Sequence, residues 1–536
     1  MDGERPALML RVVERLGLSI LSAVDAGATR WYGWRYNPFF QSGTIVLSLY
    51  LVLLVTGLWL LLFYRVGSPW ESVAGLTGNL WIGNWVRGLH RYATDAAVVA
   101  TIVHAVRMFV QARSWGARTL AWTSGGFLLI LLIACGWTGY VMVWDTFGAH
   151  LARDGARMID TLPVLSEPVG RAFTGERPVP SAFFFITLFA HIGIPLAMGV
   201  VFWLHVKRLA RPTLLPPRPL MWTAIGLLTA VAIARPLVMA PKADPFVLPA
   251  EIPVDLFVAF WLPLARWLDA GLVLALLAGA AGVLLTVPAL TSRRGAARPA
   301  PSVVDQSICT GCTQCAVDCP YGAIDMVPRP GRPDARSQKP EAELLVGLVD
   351  PDLCVSCGIC AGSCAPMGVG PPGRTGRDQL VRVQAFLDSP DRRPGEIVAI
   401  CCEHGAAASA PAFAARNAAV YSVPCAGSLH TSVIERLVRG GAGGVMVLAC
   451  PPRDCWNREG PRWLTERMYH DREAELQARV PRARVRLAYA GARESRLALA
   501  ALREFTTSVA ALGAATTERA PVPDATCDPV EAAAPK

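Results

Sequence analysis

Two cysteine runs carry the first recognisable chemistry of this chain. Cys309, Cys312, Cys315 and Cys319 follow the spacing C-x2-C-x2-C-x3-C, and Cys354, Cys357, Cys360 and Cys364 repeat it. Thiolates on so tight a loop bind iron or zinc, and zinc sites rarely show eight cysteines in this arrangement. Cys401, Cys402, Cys425, Cys450 and Cys455 follow, so 13 of the 15 cysteines lie between 309 and 455. Disulfide scaffolds are short secreted chains, so metal ligation in a reducing compartment is the better expectation. Upstream, His90 and His104 stand 14 residues apart, as do His191 and His205. That interval is close to four helical turns, which puts each pair on one helix face about 21 Å apart along the axis. Imidazoles facing each other at two depths are what two bis-histidine haems require.

The elements that must position the histidines are apolar helices. The chain of 536 residues is 53% hydrophobic and only 17% charged, with a mean hydropathy of +0.38. Six segments, near 43–64, 88–110, 120–143, 181–206, 220–240 and 268–290, approach the roughly 20 residues that cross a bilayer. Arg and Lys cluster on alternate loops: Arg5 to Arg35, Arg107 to Arg118, Lys207 to Arg218, and Arg293 to Arg298. The positive-inside rule then places both termini in the cytoplasm of a multi-pass inner-membrane protein. Spans two and four run the same way, so His90 is level with His191 (outer) and His104 with His205 (inner). Gly43 and Gly57, and Gly125 and Gly139, repeat the 14-residue interval in spans one and three. A flat macrocycle wedged between helices needs a missing side chain at each depth. The formal charge of +10 is explained by these topological clusters, and no aromatic–basic patch points to nucleic acid. The N-terminus shows no cleavable signal, only an amphipathic stretch.

Residues 30–290 resemble the cytochrome b of quinol-oxidising bc-type complexes. Arg87 precedes His90 as in R-x-x-H, His191 to Pro195 match H-x-x-x-P, and Gly139-Tyr140-Val141 match G-Y-V. The resemblance implies two haems b, Arg87 as a propionate partner of the outer one, quinone sites near each membrane face, and a homodimer. Two elements depart from the family. Its P-E-W-Y falls on Pro253-Val254-Asp255-Leu256, which leaves Asp255 as the candidate proton acceptor of the outer site, and its P-W-G falls on Val143-Trp144-Asp145. No Rieske-type segment is present in the sequence.

The paired cysteine runs resemble the bacterial two-cluster ferredoxin. In that pattern one 4Fe–4S cluster takes Cys309, Cys312, Cys315 and Cys364, and the other takes Cys354, Cys357, Cys360 and Cys319. An insertion near 327–345 separates the runs. From 395 to 512, strands and helices alternate as in an α/β domain with a parallel sheet, the first three of its four strands closing on a cysteine. Cys401-Cys402, Val423-Pro424-Cys425 and the run Cys450-Pro-Pro-Arg-Asp-Cys455 resemble the delta iron–sulfur subunit of methyl-viologen-reducing hydrogenase. That resemblance implies a 2Fe–2S cluster on four of the five cysteines, Cys402, Cys425, Cys450 and Cys455 being the preferred set. It also implies a cytoplasmic flavoprotein partner of heterodisulfide-reductase type.

The expected organisation is an amphipathic segment (1–41), a four-helix di-haem core (42–210) and two further spans (211–290). A linker (291–303), an α+β ferredoxin module (304–372), an α/β domain (395–512) and a disordered tail (519–536) follow. Cys135 is read as packing, Cys527 as part of the tail, and His150, His404, His430 and His470 as surface or core residues. Together these features imply a subunit of a quinone-linked oxidoreductase complex. It would pass electrons between a flavoprotein or dehydrogenase and the quinone pool, from clusters to quinone by default. A membrane anchor and relay without its own quinone site is the alternative.

Overall fold

The computed structural model describes residues 5–515 except 80, 164–167, 174–178, 208, 245–253, 292–298, 330–344, 406–408, 471 and 493. The expected tail 519–536, with Cys527, lies outside the described residues, as does most of the linker. Contacts divide the chain into two units. The first comprises Met1–Leu18, Gln41–Lys207 and Thr213–Arg293; the second comprises Ser19–Phe40, Arg208–Pro212 and Arg294–Lys536.

The first unit is all helical. After α1 (Arg5–Tyr36), whose residues from 19 on belong to the second unit, come α2 (Ser42–Leu61), α3 (Pro69–Asn79), α4 (Trp81–Val110), α5 (Thr119–Val143) and α6 (Thr146–Asp160). They are followed by α7 (Ser181–Val206), α8 (Arg218–Ala234), α9 (Leu262–Ala265) and α10 (Ala270–Thr291). Five helices are long and apolar enough to cross a membrane: α2, α4, α5 with the short turn preceding it, α7 and α10. The fifth of the six expected spans is shorter than its apolar run suggests. Pro236 disfavours the helical region for the residue before it, and Arg235 leaves the helix at φ −129°, ψ 71°. The remaining 17 residues of α8 sit at the lower limit for a span, about 17. Helices α2 and α4 pack closely, as do α5 and α7. Between them lies a buried layer of Leu49, Ala97, Val98, Leu132 and Met198. These residues fall midway along the 14-residue intervals, so an apolar plug separates the two histidine levels.

The second unit joins the ferredoxin-like and α/β parts in one body. Strand β1 (Val303–Val304) pairs antiparallel with β4 (Val369–Gly370), and β2 (Ile324–Pro328) with β3 (Leu345–Val349). The insertion near 327–345 is therefore the connection of a hairpin, and 330–344 lie outside the described residues. Short helices α11 (Gln314–Asp318) and α12 (Ile359–Ser363) each sit inside a cysteine run.

The α/β part has four parallel strands, β5 (Ile397–Cys402), β6 (Ala419–Val423), β7 (Gly444–Ala449) and β8 (Val485–Tyr489), in the order β6-β5-β7-β8. Its helices are α14 (Ala410–Ala414), α15 (Thr431–Arg439), α16 (Gly460–Tyr469) and α17 (Ser495–Ala515). The part begins earlier than residue 395. Helix α13 (Gly376–Leu387) starts on a Thr375–Asp378 capping box and buries Val383 in the same core as Val398 and Val445. Such a box satisfies two amide donors that the first helical turn would leave free. Residues 19–40 also belong here: Trp34 meets Tyr489 edge to face at 5.6 Å, and buried Asn37 ties Asp25 O and Thr29 Oγ1.

Candidate haem and iron–sulfur sites

The four spaced histidines do come together in pairs by depth. His90 of α4 faces His191 of α7 with ring centres 6.4 Å apart. Two imidazoles each bound about 2 Å from one metal place their ring centres roughly 6 Å apart, so the gap fits an iron between them. The glycines lie directly behind the rings. A Cβ on Gly57 would stand 3.2 Å from His90 Cε1, and one on Gly139 would stand 3.0 Å from His191 Cε1. At the other level, Gly43 and Gly125 leave 3.0 and 3.2 Å to Cε1 of His104 and His205. The clearance is therefore needed for the imidazole ring itself.

Each of these glycines is preceded by a hydroxyl residue whose role the spacing of histidines and glycines does not reveal. Ser42 Oγ meets His104 Nδ1 at 3.2 Å and Thr56 Oγ1 meets His90 Nδ1 at 2.8 Å. Ser124 Oγ meets His205 Nδ1 at 3.2 Å, and Thr138 Oγ1 meets His191 Nδ1 at 2.9 Å. The hydroxyls of Thr56, Ser124 and Thr138 already donate to carbonyls of their own helices, those of Val52, Leu120 and Cys135. A hydroxyl has one proton to give, so these three oxygens must accept from the imidazole. Nδ1 therefore carries the hydrogen and Nε2 presents its lone pair, the tautomer a metal requires. The signal is present in the sequence as a Ser/Thr-Gly dipeptide occurring twice in each of two spans.

Local chemistry explains other motif residues. Pro195 has no N–H for the carbonyl of His191 one turn back, and the Cys135 thiol lies 3.7 Å from that oxygen. Tyr50 OH donates to Pro195 O at 2.6 Å. Arg87, expected to partner a propionate, reaches Thr77 Oγ1 and Leu237 O at 3.4 Å each.

Asp255 is heavily engaged. Its Oδ1 accepts from the N–H groups of Phe257, Val258 and Ala259 at 3.0, 2.6 and 2.9 Å. Its Oδ2 accepts from Tyr140 OH at 2.6 Å and pairs with Arg91, which also pairs with Asp95. Burial opposes ionisation of Asp255, but the bonds from Tyr140, the two backbone donors and Arg91 prevail and hold its carboxyl below the usual range. To take a proton it must give up one of these contacts. Arg91 and Asp95, charged residues one turn apart inside an apolar span, do not stand out by motif or interval, although such residues are costly in lipid and usually functional.

The eight cysteines of the paired runs gather in one region of the second unit. Cys315 feels Cys360 first and then Cys364, Cys312 and Cys309, while Cys360 feels Cys319 and Cys354 and Cys357 feels Cys360, Cys319 and Cys354. Cys319, Cys354, Cys357 and Cys360 line one cavity with Ile324 and Ile359. Both loops turn by the same device: Gly311 and Ser356, then Thr313 and Gly358, take positive φ at equivalent positions. Placing Thr and Ser there costs on the order of 1 kcal/mol each. Backbone N–H groups of Ser302, Ala323 and Gly368 point at the sulfurs of Cys354, Cys319 and Cys364 at 3.3 Å.

At the carboxyl edge of the parallel sheet, strand alternation separates Cys401 from Cys402. Cys401 enters the core with Phe413, Met446 and Leu448, while Cys402 enters the opposite one with Cys450 and Cys455. Cys402 Sγ and Cys450 Sγ are 3.6 Å apart. A Cβ on Gly460 would lie 3.0 and 3.3 Å from the sulfurs of Cys425 and Cys455. Cys455 accepts from Cys425, Cys450 and nearby backbone N–H groups, which hold its thiol well below the ordinary value. Among the described residues, no three His, Cys, Asp or Glu side chains close to the spacing of a single metal ion. Of the remaining histidines, His150 meets Asp154 at 3.3 Å, His404 stacks on Trp456, and buried His430 meets Cys364 O at 3.2 Å.

Comparison with known families follows the same divisions. The cytochrome b family (Cytochrome b/b6/petB) matches residues 33–212. A 4Fe-4S dicluster domain matches 308–368, and the delta subunit of methyl-viologen-reducing hydrogenase matches 397–513. Three family models thus match successive stretches of this chain, in agreement with the fusion that its motifs imply. The cytochrome b subunit of a menaquinol:cytochrome c reductase from Geobacillus thermodenitrificans is 22% identical over 173 residues, 31% of this chain and 77% of that protein. A hyperthermophilic respiratory Complex III chain is 15% identical, with a TM-score of 0.37, over 47% of this chain and 75% of its own length. The apolar helices and the cytochrome b and iron–sulfur matches make this a multi-pass membrane protein of electron transfer. Its cytochrome b region implies haem b and its dicluster region implies iron–sulfur clusters.

Two outcomes follow from the packing. Gly43→Val presses a branched side chain onto His104 and should lower the haem content in a pyridine-haemochrome assay. Gly193→Val, where a Cβ meets nothing within 4 Å, should leave the content unchanged; equal loss in both contradicts the fit. The second concerns iron removal. Burial pushes the Cys360 thiol up to about 12 and those of Cys315, Cys357 and Cys364 upward from the ordinary 9.0. A thiol raised by folding stabilises the fold below its unfolded value, and that stability is lost as pH rises. Chelator-stripped protein should therefore unfold at lower denaturant at pH 10 than at pH 7, and the reverse order contradicts this.

Proposed function

We propose that the fusion carries electrons between a soluble flavoprotein or dehydrogenase subunit of heterodisulfide-reductase type and the membrane quinone pool. In this reading it holds two haems b on His90/His191 and His104/His205 and two 4Fe–4S clusters on the paired cysteine sets. A 2Fe–2S cluster sits on Cys402, Cys425, Cys450 and Cys455. When bound, these groups supply one-electron redox chemistry along the chain. The observation that carries the reading is the His90–His191 pairing, with ring centres 6.4 Å apart and Nδ1 of each ring bound to a hydroxyl. Positive charge on alternate loops supports termini and cysteine sites on the cytoplasmic side of the inner membrane, and the bc-type resemblance supports a homodimer. Clusters of this type often lie low in potential, which favours flow toward quinone.

The residues of the outer site would hold and move a proton. In this reading the group that exchanges it is the Tyr140–Asp255–Arg91–Asp95 cluster, in which Asp255 accepts once Arg91 turns to Asp95. The saturation of Asp255 by five donors favours a second reading. There, Asp255 is only a loop anchor, and the chain relays electrons without an outer quinone site.

Stopped-flow mixing of the purified chain with a menaquinol analogue separates the two. The main reading expects prompt haem reduction in the wild type, slowed about 100-fold or more by Asp255→Asn, a typical loss for a proton acceptor. Haem that no quinol reduces would overturn it in favour of the relay. An undiminished rate in Asp255→Asn with a slowed Asp95→Asn would transfer the accepting role to Asp95.

A further inference from the structure

Arg467 of α16 is the largest fully buried side chain among the described residues, 1% exposed, and it lies far in sequence from the cysteines it approaches. Its Nη1 donates to Ser363 Oγ at 2.8 Å and its Nη2 to Gly427 O at 2.5 Å. Ser363 directly precedes Cys364, and Gly427 follows Cys425 by two residues. Asp318, equally buried and next to Cys319, faces Arg467 at 3.6 Å, pairs with Arg472 and accepts from Ser363 Oγ at 2.6 Å. Two arginines against one aspartate leave a net positive charge. The Nε of Arg467 is buried with no partner among the described residues. Such an orphan donor costs about 1–3 kcal/mol and calls for a reason. Helix α12 is shaped to admit the guanidinium: a Cβ on Gly362 would lie 2.7 Å from its Nη2. The cation is felt by Cys425 on one side and Cys360 on the other, and burial draws it down only to about 10, so it stays charged at neutral pH.

We propose that Arg467 is a positioning residue shared by two iron–sulfur sites. It locks the Cys360–Cys364 helix against the turn after Cys425, and its charge makes both neighbouring clusters easier to reduce. This rests on the cluster assignments proposed above. A buried positive charge stabilises the added electron because little solvent screens it, and Asp318 opposes that effect from the other side. The two residues therefore act with opposite sign on the same centres.

The test is an EPR-monitored redox titration of the full-length, detergent-solubilised protein. Arg467→Gln should shift the midpoint potentials of the clusters nearest it downward, Asp318→Asn should shift them upward, and Arg467→Lys should stay near the wild type. Unchanged potentials in both neutral variants, or shifts of the same sign, overturn the proposal while leaving the clusters assigned. If Arg467→Gln does not load iron, Asp318→Asn decides alone, an upward shift supporting the proposal and any other result refuting it. Absence of cluster signals in the wild type would instead refute the underlying assignment.

Discussion

An imidazole placed inside an apolar helix must find a partner for both ring nitrogens, because an unpaired polar atom in lipid costs several kcal/mol. The helical unit is arranged around that requirement, repeated four times. Hydroxyls of Ser42, Thr56, Ser124 and Thr138 occupy Nδ1. The glycine after each hydroxyl makes room for the ring, and the close packing of α2 on α4 and α5 on α7 follows from those glycines. That leaves Nε2 as the nitrogen available to a metal. The apolar layer at Leu49, Ala97, Leu132 and Met198 keeps the two levels apart.

The cysteine-bearing unit meets a related requirement by other means. Burial makes thiols of the paired runs resist ionisation, and backbone N–H groups aimed at sulfur and left-handed loop residues such as Thr313 and Ser356 shape those sites. Metal binding then drives off the thiol protons. The sheet edge contributes geometry of a different kind. Parallel strands bring Cys402, Cys425 and Cys450 to one end, and strand alternation turns Cys401 away.

Much of this was legible in the sequence because it is periodic. A 14-residue interval maps directly onto helix faces, and C-x2-C-x2-C fixes which sulfurs share a loop. The two-residue period of a strand is enough to make the adjacent Cys401 and Cys402 unequal. What was not legible depends on tertiary packing. Serine and threonine in apolar helices usually bond back to their own helix, so their second partner at the histidines was hidden. Pro236 shortened an apparent span, a rule available in the sequence but outweighed by apolar composition. The saturation of Asp255 depends on the turn at 257–259, and the burial of Arg467 on contacts between distant segments.

The central claim is that each facing histidine pair shares one haem iron. Low-temperature EPR with near-infrared magnetic circular dichroism on the oxidised, purified chain tests it most directly. The account predicts two low-spin ferric haems per chain, both with bis-imidazole ligation. A single haem per chain, or a high-spin signal of stoichiometric intensity, would contradict it.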